Sequence, residues 1–202
     1  MQLPQQIVQT AAGQSRQGRE RQIYVSVVFS DGDNVQFDQN ALYAIWTEDT
    51  DRGAFPVGTT LCAGMQELNP FLLEWYYKHM SPNDELMAGP SGYQFIYGRD
   101  YSEEGYEKWL ELNRRWLASA GFKTACFWHT SYGTDRFYRY AETAGLEGVF
   151  NGDDDVVLDY HDGVIIMNQG DHLVAEGDLY NNLAHRQGLL DPSRPHFLNV
   201  YP

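Results

Sequence analysis

Short apolar runs alternate with polar and amphipathic segments along the chain after residue 22. Each run holds three to eight residues, is rich in β-branched or aromatic side chains, and ends in a polar stretch. Such runs are too short for typical helices, so the pattern predicts buried strands. The predicted strands cover residues 23–29, 55–62, 85–88, 123–128, 148–150, 164–167 and 196–200.

The amphipathic segments between these runs predict helices. The clearest helix is 103–120, because Ser102 can cap its first turn, Glu103 favours the dipole there, and Gly121 follows its end. The other predicted helices cover residues 35–46, 70–80 with Asn69 as the cap, 135–144 and 176–186. Strand, polar exit and helix thus repeat about seven times, which is typical of parallel βαβ units.

The predicted fold class is α/β, in the form of a small or incomplete (β/α) barrel of about seven mainly parallel strands. Seven strands in 202 residues fit such a barrel better than an open doubly wound sheet. Residues 1–22 are rich in Gln, Arg and Gly, and we interpret them as a linker or flexible leader. Residues 23–202 are predicted to form one α/β-barrel-like domain, either complete or excerpted from a larger protein.

Composition narrows the choice of partners. The formal charge of −14 argues against binding along nucleic acid and against an anionic membrane surface. No run of 18 apolar residues is present, so no membrane insertion is predicted. The start of the chain lacks the apolar region of a secretory signal, and this leaves the compartment open. Cys62 and Cys126 are predicted to be free, partly buried thiols.

The first predicted strand ends in two carboxylates, Asp31 and Asp33, which are separated by one glycine. In α/β folds chemistry takes place where the chain leaves the carboxyl end of a strand. Two carboxylates there can serve as acid and base, as a nucleophile, or as metal ligands. The alternative is a simple turn in which the carboxylates accept backbone N–H groups. We predict Asp31 and Asp33 as the catalytic residues.

Five further strand exits carry polar groups, and in a barrel they converge on one face. Glu67 could supply a second carboxylate. Trp128 and His129 are predicted to bind sugar, although His129 could also ligate a metal, act as an acid or base, or simply be hydrogen-bonded at the barrel rim. Asp153 begins an acidic triplet that could hold Ca²⁺, reach the cleft or be solvated. Asn168 offers an amide to sugar hydroxyls. No metal site and no cofactor is predicted.

A glycine-rich stretch, GPSGYQFIYG at residues 89–98, lacks the lysine and the spacing of a phosphate loop. Its glycines let the backbone approach a ligand closely, and Tyr93, Phe95 and Tyr97 could form an aromatic wall. The alternative is a turn that packs these rings inward.

The order VVFSDGDNVQF, FPVGTT and LNPFLLEWYYKHMSPNDELMAGPSGYQFIY resembles the domain family named for a GxGYxYP motif. The resemblance is best over residues 24–97. Residues 92–95 keep the G-Y-x-aromatic part, whereas the following proline is absent and the first glycine is spaced differently. The family consists of glycoside hydrolase-like domains, often in large secreted or surface proteins of carbohydrate-degrading bacteria.

The resemblance implies that Asp31, Asp33, Asn34, Ser91 and Tyr93 line the site, and that the protein is secreted or at a bacterial cell surface. With the strand-exit residues, the predicted substrate-binding set is Asn34, Glu67, Ser91, Tyr93, Trp128, His129, Asp153 and Asn168. The leading hypothesis is a carbohydrate-active enzyme, a glycoside hydrolase with an oligo- or polysaccharide substrate. The alternatives are a metal-dependent polysaccharide deacetylase, against which the missing histidine pair counts, and a non-catalytic glycan-binding module.

Overall fold

The computed structural model describes residues 23–97, 100–127, 134–151, 158–168, 171–172 and 196–201. Its strands form one sheet of nine, in the order β6-β7-β5-β4-β3-β2-β1-β9-β8. Their bounds are β1 Ile23–Phe29, β2 Val57–Leu61, β3 Asp84–Ala88, β4 Thr124–Phe127, β5 Gly148–Asn151, β6 Leu158–His161, β7 Val164–Asn168, β8 Asp171–His172 and β9 His196–Tyr201. Every neighbouring pair in this order is parallel except β6 with β7.

The positions of β7 and β8 in the strand order show that the sheet is curled. β7 pairs with β5, whereas β8, which is separated from β7 by two residues, pairs with β9. Strands β7 and β8 are close in the chain but lie near opposite ends of the strand order. A flat open sheet would hold these two strands far apart. The predicted α/β class and the incomplete barrel of mainly parallel strands are confirmed.

Six helices connect the described strands: α1 Val35–Gln39, α2 Ala41–Glu48, α3 Met65–Leu68, α4 Pro70–Lys78, α5 Glu103–Ala120 and α6 Thr134–Ala144. The bounds predicted for α5 are confirmed, and Gly121 takes the left-handed conformation after it. A single helix over 35–46 is wrong, because the chain breaks at Asn40. The Asn40 side chain donates to the Gln36 carbonyl at 2.8 Å and competes with the helical ladder. The helix predicted at 176–186 lies outside the described residues.

Side chains alternate between the inside of the curled sheet and the helix-covered outside. Inside, Val28, Met87 and Cys126 form a small buried cluster with Phe150. Outside, a larger cluster packs the sheet against the helices, with Leu61, Leu86 and Phe127 among its members. Both cysteines are free, as predicted, and both are fully buried. No described helix has the length and apolar character to cross a bilayer.

Candidate functional site

The turn after β1, residues 30–34, presents one aspartate to solvent. Asp31 is exposed and has a φ of 72°, an uncommon conformation for a residue with a side chain. The Asn34 N–H closes the turn on the Asp31 carbonyl at 3.2 Å. The Asn34 side chain then caps α1, because its Oδ1 accepts from the backbone N–H groups of Gln36 and Phe37. We call residues 30–34 the β1 turn.

The β1 turn is fixed to the end of β2. The Gly32 N–H donates to Thr60 Oγ1 at 3.0 Å, and the same hydroxyl donates to the Phe29 carbonyl at 3.1 Å. A Cβ at Gly32 would lie 1.8 Å from the Thr60 carbonyl oxygen, so only glycine fits there. Ser30 is buried, and its hydroxyl has no hydrogen-bond partner among the described residues.

Asp33 lies half-buried next to the exposed Asp31. Burial is the main cause that raises the pKa of the Asp33 carboxyl. A hydrogen bond from the backbone N–H of Asp33 lowers this pKa in part, and the charge of Asp31 raises it further. The pair thus has two unlike environments within three residues, which suits an acid and a carboxylate partner.

A third carboxyl, Asp38 in α1, is fully buried. Burial, with a smaller contribution from the charge of Asp33, raises the pKa of Asp38 to about 8. The Cys62 backbone N–H lies near enough to lower that pKa somewhat. Even so, neither Asp38 carboxyl oxygen makes a hydrogen bond of normal geometry to the described residues.

Sequence reasoning missed Asp38, although one signal was available. Asp38, Leu42 and Trp46 recur at four-residue spacing, and all three are buried. A carboxylate on the apolar stripe of an amphipathic segment is therefore visible in the sequence. Its burial is completed by α4, since the Tyr76 hydroxyl donates to the Asp38 carbonyl at 2.6 Å.

Glu67 and Tyr93, both predicted site residues, meet beyond β2 and β3. The Tyr93 hydroxyl donates to Glu67 Oε2 at 2.8 Å, and the Tyr93 ring stacks on Trp116 at 6.1 Å. The pKa of Tyr93 is raised, first by burial and then by Glu67. Glu67 is exposed and Tyr93 is half-buried, so both can be reached from solvent.

Cys62 connects this pair to the aspartates. Its thiol donates to the Tyr93 carbonyl at 3.0 Å. Burial, with smaller contributions from the charges of Asp38 and Asp33, raises the pKa of Cys62 to about 11. Because the buried thiol keeps its proton at neutral pH, we do not assign Cys62 as a nucleophile.

Ser91 lies inside the loop that follows β3. Its hydroxyl is fully buried and donates to the Ile96 carbonyl at 2.9 Å, and its N–H donates to the Cys126 carbonyl at 2.7 Å. The neighbouring Gly92, with a φ of 92°, leaves no room for a side chain beside Asn113 Oδ1. The structure therefore gives Ser91 a part in holding this loop.

Trp128, His129 and Asp153 lie outside the described residues, so their sugar-binding roles stay predictions. Asn168 ends β7 and pairs through its backbone with Asn151. Within the described ranges, no group of three or more His, Cys, Asp or Glu side chains is arranged to hold a metal ion.

Two cavities in the described structure lie away from the β1 turn. One, of about 230 Å³, is lined inside the sheet by Ser26, Glu85 and Thr124. The other, of about 300 Å³, lies beside α2 and is lined by Leu42 and Phe55. Neither of these two cavities is lined by a residue of the β1 turn.

Solved structures share this fold. A "putative hydrolase" from Bacteroides thetaiotaomicron VPI-5482 has a TM-score of 0.82 and 20% identity, over 96% of this chain and 41% of that one. The chain thus spans about two fifths of that protein. Puue allantoinase has a TM-score of 0.52 and 11% identity, over 100% of this chain and 85% of its own. At these identities the likeness concerns the fold alone.

A comparison with curated proteins found no match. The family description "GxGYxYP putative glycoside hydrolase C-terminal domain" matches residues 21–200, which is most of the chain. This match confirms the resemblance found in the sequence. The chain therefore belongs to the GxGYxYP putative glycoside hydrolase C-terminal domain family.

Proposed function

We propose that this domain hydrolyses glycosidic bonds with the carboxyl groups of the β1 turn. The observation that carries the proposal is the contrast between half-buried Asp33, whose pKa is raised, and exposed Asp31. Glycosidases use two carboxyl groups in unlike environments, one as the acid and the other as its carboxylate partner. The position at the carboxyl end of a strand in a parallel barrel supports the assignment.

In this mechanism Asp33 is the acid and Asp31 is the carboxylate partner. Asp33 gives its proton to the glycosidic oxygen as the bond from that oxygen to the anomeric carbon breaks. Asp31 either takes a proton from the attacking water or attacks the anomeric carbon itself, after which water hydrolyses the ester. In both cases the hydroxyl of water ends on the anomeric carbon, and the leaving group departs as an alcohol.

Glu67 and Tyr93 are proposed to bind the sugar. Their hydrogen bond already joins a carboxylate and a phenol at the adjacent strand exits, and both groups can be reached from solvent. A sugar hydroxyl can replace or extend this hydrogen bond, while the ring of Tyr93 offers a face for stacking. Cys62 lies between Tyr93 and the aspartates, because its thiol contacts the Tyr93 carbonyl and the charge of Asp33 acts on it. One sugar chain could therefore contact both groups.

Turnover of a panel of oligosaccharides by the wild type, Asp31→Asn and Asp33→Asn tests the proposal. We expect kcat to fall by about 10² to 10⁴ in Asp33→Asn, the range for loss of a general acid, and to fall markedly in Asp31→Asn. Glu48→Gln, which removes an exposed carboxylate on α2, is the control and should retain full turnover.

Unchanged turnover in both aspartate variants would refute the assignment. If the wild type binds glycans on an array but releases no product, the domain is a glycan-binding module and not a hydrolase.

A further inference from the structure

Asp38 is the one fully buried aspartate among the described residues. Its backbone is held at both ends: its N–H donates to the Asn34 carbonyl at 3.0 Å, and its carbonyl accepts from the Tyr76 hydroxyl at 2.6 Å. By contrast, neither of its carboxyl oxygens makes a hydrogen bond of normal geometry to the described residues, although the Cys62 backbone N–H lies near. A buried carboxyl without a partner is tolerated when it carries a proton and is costly when it is ionised.

The groups that face Asp38 make ionisation harder still. Asp33 approaches from the β1 turn and is itself acidic, and the Cys62 thiol at the end of β2 keeps its proton. Tyr76 approaches from α4, and the pKa of its phenol is raised. The single favourable contribution is the Cys62 backbone N–H. No positive charge appears in this set, so an ionised Asp38 has no counter-ion among the described residues.

The helix that carries Asp38 is short and is coupled to the β1 turn. α1 has five residues, begins at the Asn34 cap and ends at the break around Asn40. So short a helix has little stability of its own and depends on packing. If Asp38 has to leave its buried position, α1 and the turn that caps it can open together without unfolding the barrel.

We propose that Asp38 is a positioning residue whose uncharged carboxyl lets α1 and the β1 turn pack against the end of β2, and that loss of its proton releases them. The released turn carries Asp31 and Asp33, so the consequence for catalysis rests on the proposed function. The opening itself does not depend on that function and can be measured without substrate.

Amide hydrogen exchange of the wild-type chain between pH 6 and 9.5 tests the proposal. After correction for intrinsic exchange, we expect the opening constant of residues 32–38 to rise about tenfold for each pH unit up to about pH 8, where the closed form also loses the Asp38 proton, and to level off above that pH. Asp38→Asn keeps the uncharged shape and should show less than about a twofold change over the same range. The exposed-acid variant Glu48→Gln should follow the wild type.

Asp33→Asn supplies a second test that stands even if Asp38→Asn fails to fold. Removal of the Asp33 charge makes Asp38 easier to ionise in the closed form, so the rise of the opening constant should level off at a lower pH and at a smaller value than in the wild type. Tryptophan fluorescence can follow the same transition, because Trp46 packs edge-on against Tyr76 at 4.9 Å.

The proposal is overturned if wild-type residues 32–38 show no pH-dependent opening, or if Asp38→Asn opens like the wild type. An opening constant that levels off at the same pH and the same value in Asp33→Asn as in the wild type also contradicts it. Failure of the proposed function would be seen in the turnover assay and not in hydrogen exchange. It would appear as absent turnover in the wild type, or as unchanged turnover in Asp31→Asn and Asp33→Asn.

Discussion

Asp38→Asn is expected to gain stability relative to the wild type as the pH rises from 5 to 8, by roughly 4 kcal/mol over that range. The pKa of Asp38 rises from its ordinary value of 3.8 to about 8 on folding. Between these values the unfolded chain has lost the proton while the folded protein keeps it. The wild type therefore loses about 1.4 kcal/mol of this contribution per pH unit, and asparagine has no proton to lose.

Urea unfolding of both proteins at pH 5, 6.5 and 8 measures this effect, because the contributions of carboxyl groups distant from Asp38 cancel in the difference. Glu48→Gln is the control, and its difference from the wild type should stay small at every pH. A constant difference between Asp38→Asn and the wild type would mean that Asp38 is ionised in the folded protein. The expected gain in stability would also show that Asp38 can be replaced by a more stabilising residue, as is common at functional sites.

Gly32→Ala is expected to destabilise the fold by more than about 3 kcal/mol, beyond the usual cost of overpacking. The new methyl would lie 1.8 Å from the Thr60 carbonyl oxygen and 2.6 Å from the Leu61 nitrogen. Both contacts are with the backbone of β2, which cannot move aside as a flexible side chain can. The variant must therefore separate the β1 turn from β2, with loss of the hydrogen bond from Gly32 to Thr60.

Gly148→Ala is a matched control for this substitution. Gly148 lies in β5, and a Cβ there meets its nearest neighbours, Ile165 O and Thr124 Cγ2, at 3.6 Å, an ordinary contact. Circular dichroism and urea unfolding should show a much smaller loss for Gly148→Ala than for Gly32→Ala. Equal losses in the two variants would show that the β1 turn does not need its close approach to β2.

The sequence predicted those parts of the fold that depend on neighbouring residues. β1 was predicted with its observed bounds, because a run of β-branched and aromatic residues ends abruptly at Ser30. α5 was predicted with its observed bounds as well, because Ser102 and Gly121 mark its ends. In both cases the signal lies within a few positions of the feature that it predicts.

The four-residue spacing of Asp38, Leu42 and Trp46 is a local hint, but it does not establish that Asp38 is buried, because distant residues determine its burial. Tyr76, 38 positions away, and Cys62, from the end of β2, complete its surroundings. The sequence placed Asp38 in a helix, but whether that helix face is buried depends on how α4 and β2 pack against it. The same reason explains why the sequence did not reveal that Ser91 is enclosed within its loop.

The most direct test of the central claim is the turnover of Asp33→Asn on two substrates that share a sugar and differ in leaving group. If Asp33 is the acid, kcat should fall by about 10³ on a natural oligosaccharide and only slightly on an aryl glycoside whose phenol leaves without protonation. Equal losses on the two substrates, or no loss on either, would contradict the assignment of Asp33 as the acid.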